Sequence, residues 1–192
     1  DLSFLRALDF PKWVTQLSNL QYLNMANDEP RRQGLLPEGM SELTALTSLS
    51  LTGKKLEGGL PKSWSTLVNL EALDLSSNHL QGDIPETFSA LTALTAIVLS
   101  SNSLSGGLEV VAQMTWLTDI KIGSNHFSGP FPRSLLAHKK LQVLHLGNNS
   151  FSGTIPQQLT ELVDLVDIDL RNNIFHGLIS PKLFQLPHLS AL

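Results

Sequence analysis

An eight-position pattern recurs about every 24 residues along this chain. It is fullest in Leu70–Pro85, which reads L-E-A-L-D-L-S-S-N-H-L-Q-G-D-I-P. Leu141–Pro156 repeats it with Leu141, Leu144, Leu146, Asn149, Phe151, Gly153, Ile155 and Pro156. The first leucine of each frame falls at Leu20, Leu46, Leu70, Leu94, Leu117, Leu141, Leu165 and Leu189, with spacings of 26, 24, 24, 23, 24, 24 and 24 residues. A fixed period in this range marks a solenoid, in which each repeat packs only on its neighbours.

Within a frame, alternation around Leu-x-Leu has the period of a strand. In Leu73-Asp74-Leu75 the leucines are expected to face the core and Asp74 the solvent. Equivalent strands stack in parallel about 4.8 Å apart, so seven of them span roughly 30 Å of concave sheet. Parallel strands need a return path on one face. Pro85 to Leu94 supplies it, and its apolar residues Phe88, Leu91 and Leu94 recur every third position, which suits a 3₁₀ turn. The expected fold class is therefore α/β, a leucine-rich repeat solenoid with a concave parallel sheet and short 3₁₀ turns on the convex side. It is expected to run as one array over residues 1–192. Residues 1–19 read as a partial repeat, 20–188 as seven repeats and 189–192 as the start of an eighth. A solenoid needs polar caps, and neither end of the sequence reads as one, so a segment of a longer array is expected.

Asn78, Asn102, Asn125, Asn149 and Asn173 share one frame position, where the chain leaves the strand. An amide there offers donors and an acceptor to backbone groups that have lost their sheet partners. These five are expected to form a structural ladder, weaker where Asp28 and Lys54 replace asparagine. Gly58, Gly82, Gly106, Gly129, Gly153 and Gly177 read as backbone requirements, and the prolines after them as turns toward the convex side. Two frames break step. The first carries a charged insertion, Asn27–Gln33, and insertions in repeats often lie on a binding face. The fourth is one residue short and has Leu108-Glu109 in place of Ile-Pro, which predicts a local irregularity on the flank.

The frame L-x-x-L-x-L-x-x-N-x-L-x-G-x-I-P resembles the plant-type leucine-rich repeat family over almost the whole chain. In that family the G-x-I-P segment, here Gly82 to Pro85, adds a second short strand on the flank, and the array twists into a superhelix. The resemblance implies the extracellular part of a receptor-like kinase or receptor-like protein, which would bind a peptide, a steroid or a co-receptor. Secreted polygalacturonase inhibitors and ice-binding proteins are other members.

Any ligand chemistry on the concave face must come from the outward strand positions. Those of the first half are small and neutral, apart from Tyr22 and Asp74. Asp119, Lys121, His145, Asp167, Asp169 and Arg171 gather charge in the second half, and with Tyr22 they form the expected ligand-binding set. His145 stands one strand from Asp169, within hydrogen-bonding reach. A His–Asp pair without a nucleophile, metal or closed pocket is not an active site. Asp119 and Asp169 lie roughly 10 Å apart, too wide for a shared metal. His79 and His126 read as surface turn residues, and Trp13, Trp64 and Trp116 as packing. No catalytic residue, metal site or cofactor is expected. A net charge of −4 argues against nucleic acid as a partner. No apolar run reaches the 18 residues of a membrane span, so no membrane contact is expected within this segment. Without cysteine there is no disulfide or thiolate metal site within these residues.

Two function classes stay open. One is a non-enzymatic protein or peptide recognition module, with an enzyme inhibitor as its variant. The other is a structural or assembly subunit. An extracellular or cell-surface location is expected on the first reading, and an intracellular one is the alternative. Asn148 heads the single N-glycosylation sequon, Asn148-Asn149-Ser150.

Overall fold

The computed structural model describes residues 14–25 and 34–190. The insertion Asn27–Gln33, Asp28 within it, and Trp13 lie outside the described residues. In chain order the strands are β1 (Tyr22–Asn24), β2 (Gly34–Leu35), β3 (Ser48–Ser50), β4 (Leu56–Gly58), β5 (Ala72–Asp74), β6 (His79–Asp83), β7 (Ala96–Val98), β8 (Ser103–Ser105), β9 (Asp119–Lys121), β10 (Ser128–Pro130), β11 (Val143–His145), β12 (Ser150–Thr154), β13 (Asp167–Asp169) and β14 (Ile174–His176). The odd-numbered strands form one seven-stranded parallel sheet. Its register is unbroken: Leu23, Leu49, Leu73, Ile97, Ile120, Leu144 and Ile168 align, and all are buried. The period-2 alternation turns the residues on either side of each toward the concave surface.

The even-numbered strands form the flank, as the family resemblance implies. They fall into two sheets, β2-β4-β6-β8 and β10-β12-β14. The division is at the short fourth repeat. There Val110, in right-handed helical conformation, replaces the extended proline that precedes the 3₁₀ turns at Pro61, Pro85 and Pro156. Ala112 N–H donates to Leu108 C=O at 2.9 Å, a wider turn than elsewhere. Two backbone bonds, His126 N–H to Leu104 C=O and Ser128 N–H to Gly106 C=O, still tie the sheets together. Gly82 and Gly153 have φ of 80° and 76°, left-handed values that would strain any other residue where the flank strand turns.

The convex side is a series of 3₁₀ turns, among them Lys62–Thr66, Glu86–Ala90 and Gln157–Glu161. Each buries one side chain of its own, respectively Trp64, Phe88 and Leu159. Trp64 packs as expected, and its Nε1–H donates to Pro37 C=O at 3.1 Å. Trp116 does not pack: it is 67% exposed. Trp64 shares the frame position of Phe88, whereas Trp116 immediately precedes the first leucine, where other repeats carry Ala93, Lys140 or Asp164.

The asparagine column closes the turn after each concave strand. Asn102 Oδ1 accepts Leu80 N–H at 3.0 Å, and its Nδ2 donates to the carbonyls of Leu75 and Leu99. Asn125, Asn149 and Asn173 repeat this, accepting from Leu104, Phe127 and Phe151 respectively. Every amide thus joins its own turn to the preceding repeat. Phe127, Phe151 and Phe175 stack beside the column, with ring centroids 6.5 and 6.2 Å apart.

One core position is mismatched. His138 is fully buried in the row that holds Leu67, Leu91, Met114 and Leu162. Its Nε2 lies 2.9 Å from Met114 C=O, but Nδ1 is buried with no partner. An unpaired buried polar atom costs about 1–3 kcal/mol. His138→Leu, of similar volume, is expected to raise stability by about 1 kcal/mol or more. Denaturant unfolding checks this, and an unchanged or lower midpoint would contradict it.

Candidate functional site

Strands β9, β11 and β13 bring the charged concave residues together. The register sets Asp119, Val143 and Asp167 in one row, and Lys121, His145 and Asp169 in the next. Arg171 follows Asp169 just past the strand end. Tyr22 is highly exposed at the opposite end of the sheet, six strands from Asp167, and does not join the cluster.

The pairing inside the cluster differs from the expectation. His145 Nε2 lies 2.7 Å from Asp167 Oδ2, although Asp169 is its register partner. Asp169 is turned toward its own strand end. Its Oδ1 accepts Arg171 N–H at 3.1 Å, and its Oδ2 lies 3.2 Å from Arg171 Nε. That turn needs a bare neighbour: a Cβ on Gly147 would stand 2.5 Å from Asp169 Oδ1. Asp74 does the same without a cation, accepting both Ser76 N–H and the Ser76 hydroxyl.

Two of the three aspartates are therefore engaged within the cluster, Asp167 by the His145 ring and Asp169 by Arg171. Among the described residues the Asp119 carboxylate has only the Thr118 hydroxyl, 2.8 Å from its Oδ2. Among the described residues Lys121 has no ion-pair partner. Arg171 is engaged through Nε, but its side chain is 74% exposed. The cluster can offer partly free charge of both signs on a rigid sheet. It holds no nucleophile beside the His145–Asp167 pair and no closure against water.

Thr118 was not anticipated. Thr47, Thr95, Thr118 and Ser190 follow the first leucine of their frames, and each hydroxyl lies 3.0–3.1 Å from a backbone carbonyl of the preceding repeat. The recurrence of a hydroxyl residue at that position is the signal that could have found them. The Thr118 hydroxyl also approaches Asp119, and its single proton can serve only one acceptor at a time.

A cavity of about 570 Å³ opens beside the cluster. Its lining includes the polar His145, Asp167, Asp169 and Arg171 and the apolar Ile155, Phe175, Ile179 and Leu183. His79 and His126 are exposed in separate repeats. Among the described residues no group of three or more histidines and carboxylates could hold a metal, and no helix is long and apolar enough to cross a membrane. Asn148 is exposed at the corner between β11 and β12.

A stack of parallel strands with asparagine-closed turns and convex 3₁₀ returns defines a leucine-rich repeat solenoid. Comparison with known proteins agrees. Family profiles described as Leucine rich repeat match residues 44–104 and 140–162. The solved BIR3–SERK2 complex of Arabidopsis thaliana contains a chain 33% identical over 67% of this chain and 69% of its own, with a TM-score of 0.61. The Arabidopsis receptor kinase HAESA, solved with the peptide hormone IDA and the co-receptor SERK1, is 31% identical over 95% of this chain, with a TM-score of 0.86. PEPR1, solved with AtPEP1, is 31% identical over 88% of this chain, with a TM-score of 0.82. A search of curated protein sequences gives no significant match. The chain belongs to the plant-type leucine-rich repeat family. It spans 30% of the HAESA chain and 24% of the PEPR1 chain.

Proposed function

We propose that this chain is a non-enzymatic recognition segment of a receptor-type ectodomain, displayed outside the cell, that binds a peptide or protein on its concave face. The observation that carries the reading is the concentration of Asp119, Lys121, His145, Asp167, Asp169 and Arg171 on and just past three adjacent strands, in a sheet whose other outward side chains are mostly small, Tyr22 and Asp74 apart. The similarity to HAESA and PEPR1, both solved with a peptide or protein ligand, supports it. Binding hot spots favour large residues and arginine over serine and alanine, so the N-terminal half offers little anchorage. Three aspartates stand against Lys121 and Arg171, and this balance favours a ligand of net positive charge.

The test is charge reversal. A chain carrying Asp167→Lys and Asp169→Lys is expected to lose at least about tenfold in affinity at low salt for the partner recovered from its source tissue, or about 1.4 kcal/mol. The loss should shrink as salt screens the charges. Unchanged affinity would move the interface off this patch.

A further inference from the structure

We infer that Asn148 carries an N-linked glycan at the rim of the charged concave patch; this rests on the extracellular reading above, because the sugar is added in the secretory pathway. The sequon Asn148-Asn149-Ser150 alone is a weak signal. The geometry strengthens it by separating the roles of the two adjacent asparagines.

Asn149 is fully committed to the turn. Its Oδ1 accepts Phe127 N–H at 3.0 Å, and its Nδ2 donates to the carbonyls of Leu146 and Ile122. Asn148 is exposed, in the left-handed region at φ 55°. Its Oδ1 accepts Asn172 Nδ2–H at 2.7 Å, which orients the amide. Its own Nδ2, the atom that bears the sugar, makes no hydrogen bond among the described residues. Ser150 is exposed as well, and its hydroxyl has no partner among the described residues. The corner itself is fixed: Asn148 N–H donates to Arg171 C=O at 2.9 Å, and Asn148 C=O accepts from Asn125 N–H.

Other repeats share the corner but not the signal. Ser77, Ser101, Ser124 and Asn172 have the same left-handed backbone, with φ between 52° and 59°. Asn172 is followed by Asn173 and Ile174, so the hydroxyl residue is missing there. The modification forms a bond from Asn148 Nδ2 to the anomeric carbon of an oligosaccharide carried on a lipid pyrophosphate. The carbon–phosphate oxygen bond breaks, the amide gives up one proton, and the lipid pyrophosphate leaves. The sugar then stands where the concave sheet meets the flank, next to Arg171 and Asn172. The sugar stands nearer the Lys121, His145 and Asp169 row, at the strand ends, than the Asp119 and Asp167 row, at the strand starts.

The experiment secretes the chain from plant cells behind a signal peptide and maps residue 148 by peptide mass spectrometry, with and without peptide N-glycosidase A. The expected result is a glycopeptide containing Asn148 that the enzyme converts to aspartate. Both Asn148→Gln and Ser150→Ala should abolish it. Ser150→Ala leaves the left-handed corner untouched, so its loss of glycan cannot be laid to misfolding if its thermal midpoint matches the parent. A secreted, folded parent chain with unmodified Asn148 overturns the inference. The recognition reading fails separately: a glycan at Asn148 on a chain whose charge-reversed form binds unchanged refutes the concave patch as an interface and leaves the glycan site standing.

Discussion

Leu146→Ala is expected to lower the stability of the array by about 2–5 kcal/mol, toward the upper end. The cost has two parts, the lost transfer of the side chain from water and the cavity that remains. Leu146 is fully buried just past β11, so the first part applies in full. The second depends on whether the surroundings can close in. Here they cannot readily do so. Leu146 N–H donates to Asp169 C=O at 2.7 Å, and its carbonyl accepts from both Asn149 and Asn173. The backbone is held at strand spacing, and the equivalent Ile122 is held the same way, its N–H donating to His145 C=O and its carbonyl accepting from Asn125 and Asn149. Leu75→Ala, equally buried, is expected to behave alike. Leu178→Ala is the control: that side chain is 96% exposed, and its loss should change stability by less than about 0.5 kcal/mol. Urea unfolding measures all three, with the midpoint moving at constant slope. A Leu146→Ala chain with the parent's midpoint would show that the inward row is misassigned.

That row was legible because one physical demand repeats. Each frame must present the same inward side chains at the same spacing to stack, so Leu-x-Leu located every concave strand from Tyr22–Asn24 to Asp167–Asp169. The run Pro85, Phe88, Leu91, Leu94 likewise read as a 3₁₀ return. The missing residue near Leu108 marked where the flank sheet divides. Hydrophobicity alone assigns Trp116 to the packing, but its frame position is an outward one, and there it stays exposed. The site was legible only as a list of neighbours. Periodicity places Asp167 and Asp169 on one face, but nothing in it says which carboxylate His145 takes. That choice is made by the Arg171 backbone and guanidinium, which draw Asp169 away over the bare Gly147. His138 shows the same limit. Its place in a leucine row is visible in the sequence, while its unpaired Nδ1 depends on the packing of neighbours.

Asn78→Ala is expected to cost about 3 kcal/mol or more, the largest effect in the asparagine column, because several buried groups lose their partner at once. Asn78 is 4% exposed and uses its full capacity. Oδ1 accepts Lys54 N–H at 2.9 Å and Leu56 N–H at 3.0 Å, and Nδ2 donates to the carbonyls of Leu51 and Leu75 at 2.9 Å each. The other four asparagines accept one backbone N–H each. The second donor to Asn78 is the backbone N–H of Lys54, which holds the ladder position of the preceding repeat. The expected order of cost is Asn78→Ala above Asn125→Ala, which is buried, and that above Asn173→Ala, which is half-buried. Asn78→Asp separates the two halves of the amide. It keeps an acceptor for Lys54 and Leu56 but sets a second oxygen against the Leu51 and Leu75 carbonyls, in a site that disfavours charge. It should be no more stable than Asn78→Ala. Chemical denaturation of the three alanine variants and the aspartate variant decides the matter. A parent-like midpoint for Asn78→Ala would mean that the turn after β5 holds its shape without the amide, and the column would lose its structural role.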